Sequence, residues 1–203
     1  MDPVATSDDT KRMGDWASIA EFDRTLRSAQ AGDELAFGAL WRWLHPPLLR
    51  CLTVLAPGYV DDVASEVWLT VTRGLPAFDG DERDFRAWVF TTARRRAIDW
   101  ARRRNRELRF APLGGFDVAD PVATSSSLVD ADAELAAALT LLGRLTPDQR
   151  EVVTLRVIVG LTVGETATIV HKSDGAVRVL CHRALRTLAQ HLDADEMARG
   201  VTI

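Results

Sequence analysis

The sequence predicts an all-α protein made of two small helical domains joined by a flexible acidic linker. Three observations predict it. Apolar residues return at three- and four-residue spacing along most of the chain, and no stretch shows the two-residue alternation of a half-buried strand. From Ala111 to Gly143 there are five acids and no Lys or Arg, with Gly114-Gly115, Pro121 and Ser125-Ser126-Ser127 among them; that is linker composition. Beyond it, Thr146-Pro147-Asp148-Gln149 and Thr162-Val163-Gly164-Glu165 are two capping boxes, each able to start a helix by satisfying free N–H groups. A chain of 203 residues, 47% hydrophobic, suffices for one medium core or two small ones.

Residues 1–15 are polar with no apolar run, and are expected to be a disordered tail rather than a signal peptide. A first helix follows from Trp16 to Gln30, with Ile19, Phe22 and Leu26 on one face, ending at Ala31-Gly32. Asp33 caps a second helix whose stripe is Phe37, Leu40, Trp41 and Leu44. Pro46-Pro47 should kink or break it. After the turn at Pro57-Gly58, a third helix runs from about Val60 to Arg73, its first turn carrying Asp61 and Asp62 against the helix dipole. Val63, Val67 and Leu69 are assigned to its core face.

The stretch from Phe85 to Arg104 lacks Pro and Gly and reads as one helix, its apolar stripe running through Phe85, Trp88 and Trp100 and interrupted by Arg. From Phe85 to Phe110 there are nine Arg against two acids. Aromatic rings between so many cations suit phosphates with bases beside them, and equally suit a solvated basic face on a core helix. In the C-terminal part, a helix from Arg150 to Val159 stops at Gly160, a short helix reaches Val170, and Ser173 caps a helix from Asp174 to about His191. A short helix, a tight turn at His171-Lys172 and a second helix bearing Arg178, His182, Arg183 and Arg186 describe a helix-turn-helix.

Net charge is −4, so any nucleic-acid affinity must come from local clustering. Cys51 and Cys181 stand far apart, which fits a reducing cytoplasm. The four His form no metal-ligand spacing, and there is neither a P-loop nor a nucleophile elbow. No enzyme activity, metal or cofactor is therefore expected. No apolar run reaches the length of a membrane span, so no membrane insertion is expected.

The order and spacing of several words resemble bacterial RNA polymerase sigma factors of the extracytoplasmic-function type, in the sigma-70 family. They are Asp33-Glu34-Leu35-Ala36-Phe37, Asp62-Val63-Ala64-Ser65-Glu66-Val67-Trp68, the run from Phe85 to Arg94, Ala97-Ile98-Asp99, Leu145-Thr146-Pro147-Asp148-Gln149-Arg150-Glu151-Val152, Gly160-Leu161-Thr162, Gly175-Ala176-Val177-Arg178 and His182-Arg183-Ala184. The resemblance implies region 2 at residues 16–106, a linker at 107–133, region 4 at 134–193 and a tail at 194–203. It implies that Asp62, Ser65, Glu66 and Trp68 dock on the polymerase core, formed by the beta and beta-prime subunits. It places Trp88, Arg94, Arg95, Asp99, Arg102 and Arg103 at the −10 promoter element. Ser173, Gly175, Ala176, Arg178, Val179, His182, Arg183 and Arg186 fall at the −35 element. It further implies an anti-sigma partner.

Two residues depart from the pattern. Arg95 stands where many members have Asn; Arg only donates, and favours guanine or phosphate. His171 stands where relatives usually have Gly in the turn. A linker of about 27 residues spans up to ~90 Å at ~3.3 Å each, ample for promoter elements about two helical turns apart at ~34 Å per turn. The alternative is a stand-alone helix-turn-helix regulator acting without polymerase, for which the acidic Asp62–Trp68 helix has no evident purpose.

Overall fold

The computed structural model describes Trp16 and residues 18–110 and 129–200. The expected N-terminal tail and most of the expected linker lie outside the described residues. Among the described residues there are eight α-helices and no strand. They are α1 (Ile19–Gln30), α2 (Glu34–Leu55), α3 (Val60–Gly74), α4 (Glu82–Phe110), α5 (Val129–Gly143), α6 (Pro147–Val153), α7 (Val163–Val170) and α8 (Asp174–Gly200).

Local chemistry explains most boundaries. Ser18 Oγ accepts from Glu21 N to start α1, and Asp33 Oδ1 accepts from Leu35 N and Ala36 N to start α2. Asp81 caps α4 by accepting from the N–H groups of Arg83 and Asp84 at 2.8 and 2.9 Å, while the Asp84 carboxylate accepts from Asp81 N. Both capping boxes form as read from the sequence. The Arg150 guanidinium satisfies the carbonyls of Leu142, Gly143 and Leu145 at the end of α5. His171 takes φ 55° and ψ 46° after α7, the left-handed conformation that glycine favours.

Four expectations are corrected. Pro46 and Pro47 do not break α2, which continues to Leu55. Leu44, Pro47, Leu48, Cys51 and Leu52 are all buried along it, and that burial outweighs the hydrogen bonds the prolines cannot make. Ile19 is not in the core but 72% exposed, as is Leu69 at 55%. Helix α4 runs on to Phe110 and α8 to Gly200, past the ends expected from sequence. Helix α6 passes directly into a wider π turn at Thr154–Ile158 before Gly160 reverses the chain at φ 83°.

In the N-terminal half, α1 packs on α2, and α3 and α4 close over α2. Phe22, Leu40, Leu44, Leu48, Val63, Val67, Phe85, Val89 and Phe90 form the centre. In the C-terminal half, α5, α6 and α7 each pack on α8. The main apolar cluster does not stop at the boundary between the halves. It continues through Val152, Leu155, Leu161 and Ile169, with α7 against α4 and the π turn against α2.

The segment between α3 and α4 is held by side chains. Gln30 Nε2 donates to the carbonyls of Leu75 and Phe78 at 3.1 and 2.7 Å. Phe78 stacks on Trp88 at 5.1 Å and meets the edge of Phe85. Trp88 also lies over Gly74, where an added Cβ would sit 2.7 Å from the indole ring. Gly74→Ala is therefore expected to cost about 1–3 kcal/mol through overpacking. Urea unfolding checks this, and a loss below about 0.5 kcal/mol would show the ring free to move away.

Candidate functional site

Helix α4 presents different chemistry on different sides. Trp88, Arg95, Asp99 and Arg102 follow at seven-, four- and three-residue intervals and so share one face. Arg95, Asp99, Arg102 and Arg103 are exposed. Trp88 is half-buried between Gly74 and Phe78, so it braces the loop rather than offering an open ring. Arg94 points elsewhere: its guanidinium is paired with Glu151 at the end of α6, with one contact at 3.3 Å. The structure thus brings together the basic residues of the outer face and separates Arg94 from them.

Near the C-terminal end of α4, Trp100 stacks on Tyr59 at 4.7 Å with Arg104 above the Tyr59 ring at 5.5 Å. This stack borders a cavity of about 350 Å³. In the sequence Trp100 is only one position of an apolar stripe. Tyr59 lies just before α3, and nothing local pairs the two.

On α3, Asp62, Ser65, Glu66 and Leu69 recur at helical spacing. Asp62, Ser65 and Leu69 are exposed. Glu66 is half-buried and lies 3.5 Å from Arg96, which also donates to Thr70 Oγ1. Trp68 is turned inward and only 8% exposed. Its Nε1 donates to His45 Nδ1 at 3.1 Å, which requires a neutral imidazole with the proton on Nε2. Trp41 stacks on His45 at 4.2 Å and is itself 37% exposed. The outward aromatic beside the acids is thus Trp41, a role for which its four-residue spacing from His45 was the available signal.

The helix-turn-helix is complete. Thr162 and Glu165 cap α7, Lys172 N donates to the Ala167 carbonyl, and Ser173 Oγ accepts from Ala176 N to start α8. Gly175, Arg178, Val179, His182, Arg183 and Arg186 are exposed on the first turns of α8, and Ala176 is half-buried. Val177 and Ala184 are buried on the opposite side. The exposed set can enter a groove while the buried set anchors the helix.

Among the described residues two ion pairs join the halves. Arg86 is 4% exposed and Glu165 7%. The Arg86 guanidinium grips Glu165 Oε1, with Nε at 2.9 Å, and Glu82 lies 3.8 Å away. The other oxygen, Oε2, accepts from Thr162 N and Thr162 Oγ1, each at 2.7 Å. Burial holds the Glu82 carboxyl above its ordinary range despite Arg86, and the nearby Glu165 adds to the effect. Cys51 is fully buried; burial pushes its thiol up to about 12, with Glu151 adding to the rise.

Residues 47–107 match the Sigma-70 region 2 family and residues 135–188 match Sigma-70, region 4. The chain is 32% identical over 195 residues to the ECF RNA polymerase sigma factor BldN of Streptomyces coelicolor, covering 95% of this chain and 70% of that one. It is 36% identical over 183 residues to the RNA polymerase sigma factor CnrH of Cupriavidus metallidurans, covering 85% and 95%. The structure of CnrH in complex with the cytosolic domain of CnrY superposes with a TM-score of 0.66 at 29% identity, covering 86% of this chain and 99% of that one. The chain belongs to the sigma-70 family, among the RNA polymerase sigma factors of the ECF type. Among the described residues no helix is long and apolar enough to cross a membrane.

His45 ties two aromatic rings together only while neutral. Burial lowers its pKa, an effect larger than the opposing pull of Asp61. The unfolded chain therefore binds this proton more readily, and stability from this group is present at neutral pH and lost as pH falls below about 6.5. In urea unfolding from pH 7.5 to 5, His45→Gln is expected to flatten that decline relative to the native chain. An identical acid dependence in both would remove His45 from the balance.

Proposed function

We propose that this chain is a promoter-specificity subunit of RNA polymerase with no catalytic chemistry of its own. It binds the core enzyme, selects a promoter through its −10 and −35 elements, and supports opening of the duplex, while the core performs nucleotidyl transfer. The observation that carries this reading is the presence of two separate exposed basic surfaces on one chain. One is the outer face of α4; the other is the start of α8. An acidic stripe on α3 accompanies them.

Each surface has a defined task. Asp62, Ser65 and Glu66, with the exposed Leu69 and Trp41 beside them, suit a basic helical surface of the beta-prime and beta subunits. Trp68 supports that stripe from beneath. Phe78 and Trp88 shape the loop at which a base of the −10 element leaves the stack, a step costing a few kcal/mol that pocket contacts must offset. Arg95 donates to guanine or phosphate, and Arg102 and Arg103 hold backbone phosphates, which position without specifying. Asp99 sits among them and limits their net attraction. Ser173, Gly175 and Ala176 admit the DNA backbone near the start of α8. Arg178, Val179, His182, Arg183 and Arg186 face the −35 bases and phosphates.

Such a subunit works in the cytoplasm. As CnrH was solved with the cytosolic domain of CnrY, this chain too is proposed to be held by an anti-sigma protein. Two DNA sites of moderate strength gain from being tethered, since binding of one raises the effective concentration of the other.

Run-off transcription with core polymerase on templates with randomised −35 and −10 elements tests the reading. Transcripts sharing both motifs are expected. No stimulation, together with dimeric binding to a palindrome, would favour the stand-alone regulator. Asp62→Lys and Glu66→Lys are expected to abolish core binding. Asp62 makes no ion pair among the described residues, so its substitution reports docking most directly. Arg178→Ala is expected to leave core binding intact and to cost about 1–3 kcal/mol of −35 selectivity.

A further inference from the structure

We infer that Trp16, Arg42 and Trp43 form a binding site for a small organic carboxylate, set between the chain just before α1 and the first half of α2. Trp41 and Trp43 stand two residues apart and so leave opposite sides of α2. The site is therefore separate from the face on which Trp41 lies beside the acidic stripe.

A cavity of about 250 Å³ is lined by Trp16, Ala39, Arg42 and Trp43. The two indole rings meet edge to face at 5.7 Å, and each also meets the buried Phe22, at 5.7 and 5.8 Å. These mutual contacts fix both rings before any ligand arrives. Trp43 is only 6% exposed. Its indole Nε1 and that of Trp16 are both buried, and neither has an acceptor among the described residues. Arg42 is exposed beside them. Its guanidinium lies back over Gly38, where an added Cβ would sit 3.3 Å from a terminal nitrogen. It makes no ion pair or hydrogen bond among the described residues.

Every polar side-chain group in this lining is a donor. An indole Nε1 donates and cannot accept, and a guanidinium likewise only donates. A buried donor left without an acceptor is costly to the folded state, and here two such donors belong to residues of one cavity. An isolated water does not settle them, because it accepts from the indoles but finds no side-chain acceptor in the lining for its own protons. An oxyanion accepts from all three groups, and its bonds to Arg42 are charge-assisted. A single cation favours a monoanion over a doubly charged phosphate. The cavity is smaller than the ~300–1,000 Å³ typical of sites for drug-sized ligands, so the ligand is small. The indole rings and the Ala39 methyl supply apolar walls, which suit a carboxylate carried on a compact apolar body the size of benzoate.

The test follows the indole N–H signals of the full chain, carrying isotope-labelled tryptophan, in NMR titrations with sodium benzoate, sodium acetate and inorganic phosphate. Trp16→Phe and Trp43→Phe, which keep an aromatic ring, assign the two signals. Benzoate is expected to move both along one saturating curve and to leave that of Trp68, already bonded to His45, in place. Acetate, which lacks the apolar body, and phosphate are expected to bind about 10-fold or more weakly than benzoate. Arg42→Gln and Trp16→Phe are each expected to weaken benzoate by about 10-fold. Circular dichroism reports folding; if Trp43→Phe unfolds, the Trp16 signal and the exposed Arg42→Gln variant still decide. A Trp16 signal that benzoate does not move overturns the site. So does equal movement of all six indoles, or a benzoate affinity unchanged in Arg42→Gln. Acetate or phosphate binding as tightly as benzoate overturns the assignment of an apolar carboxylate.

Discussion

Glu165 makes the more deeply buried of the ion pairs that join the two halves of this protein. Its carboxylate has two oxygens with two tasks, one completing the cap of α7 and the other meeting Arg86 on α4. A buried carboxylate without partners would be costly enough to protonate or to unfold its surroundings. Here each oxygen is satisfied, one by the helix it starts and one by a helix far away in sequence. The placement of α7 against α4, and with it the alignment of the helix-turn-helix on region 2, follows from that double satisfaction.

Helix α4 is the other half of the constraint. Six of its Arg residues divide by direction into three uses. Arg86 and Arg94 turn toward region 4, Arg96 turns toward Glu66 and Thr70 on α3, and Arg95, Arg102 and Arg103 face solvent. A helix so rich in one charge would repel itself if all its cations lay together. Spreading them over carboxylates on three neighbouring helices leaves the remaining cations as a compact surface for phosphate. The ion pairs on one side are thus part of why the other side can be a binding face.

The helices and their caps were largely legible in the sequence. Thr146–Gln149 and Thr162–Glu165 are local patterns whose hydrogen bonds close within three residues, so their outcome barely depends on the rest of the chain. His171 illustrates the limit: the turn was readable, but its left-handed geometry came with a residue that does not advertise it. Pro46-Pro47 misled because local breaking was weighed without the burial of Leu44, Leu48 and Leu52 on the same helix. Leu69 and Ile19 misled because an apolar residue at helical spacing does not say whether its face meets a neighbour or solvent.

What the sequence by itself determined was everything encoded within a few residues: helical class, helix starts, the acidic stripe on α3, the basic run of α4 and the turn before the reading helix. Tertiary structure alone decided which arginine serves which purpose, that Trp68 lies beneath Trp41 and His45, and that region 4 rests on region 2. The physical reason is range. Capping and periodicity act over one or two turns of chain, whereas Arg86 and Glu165 meet across 79 residues, and only the packing of the helices between them brings the two charges together.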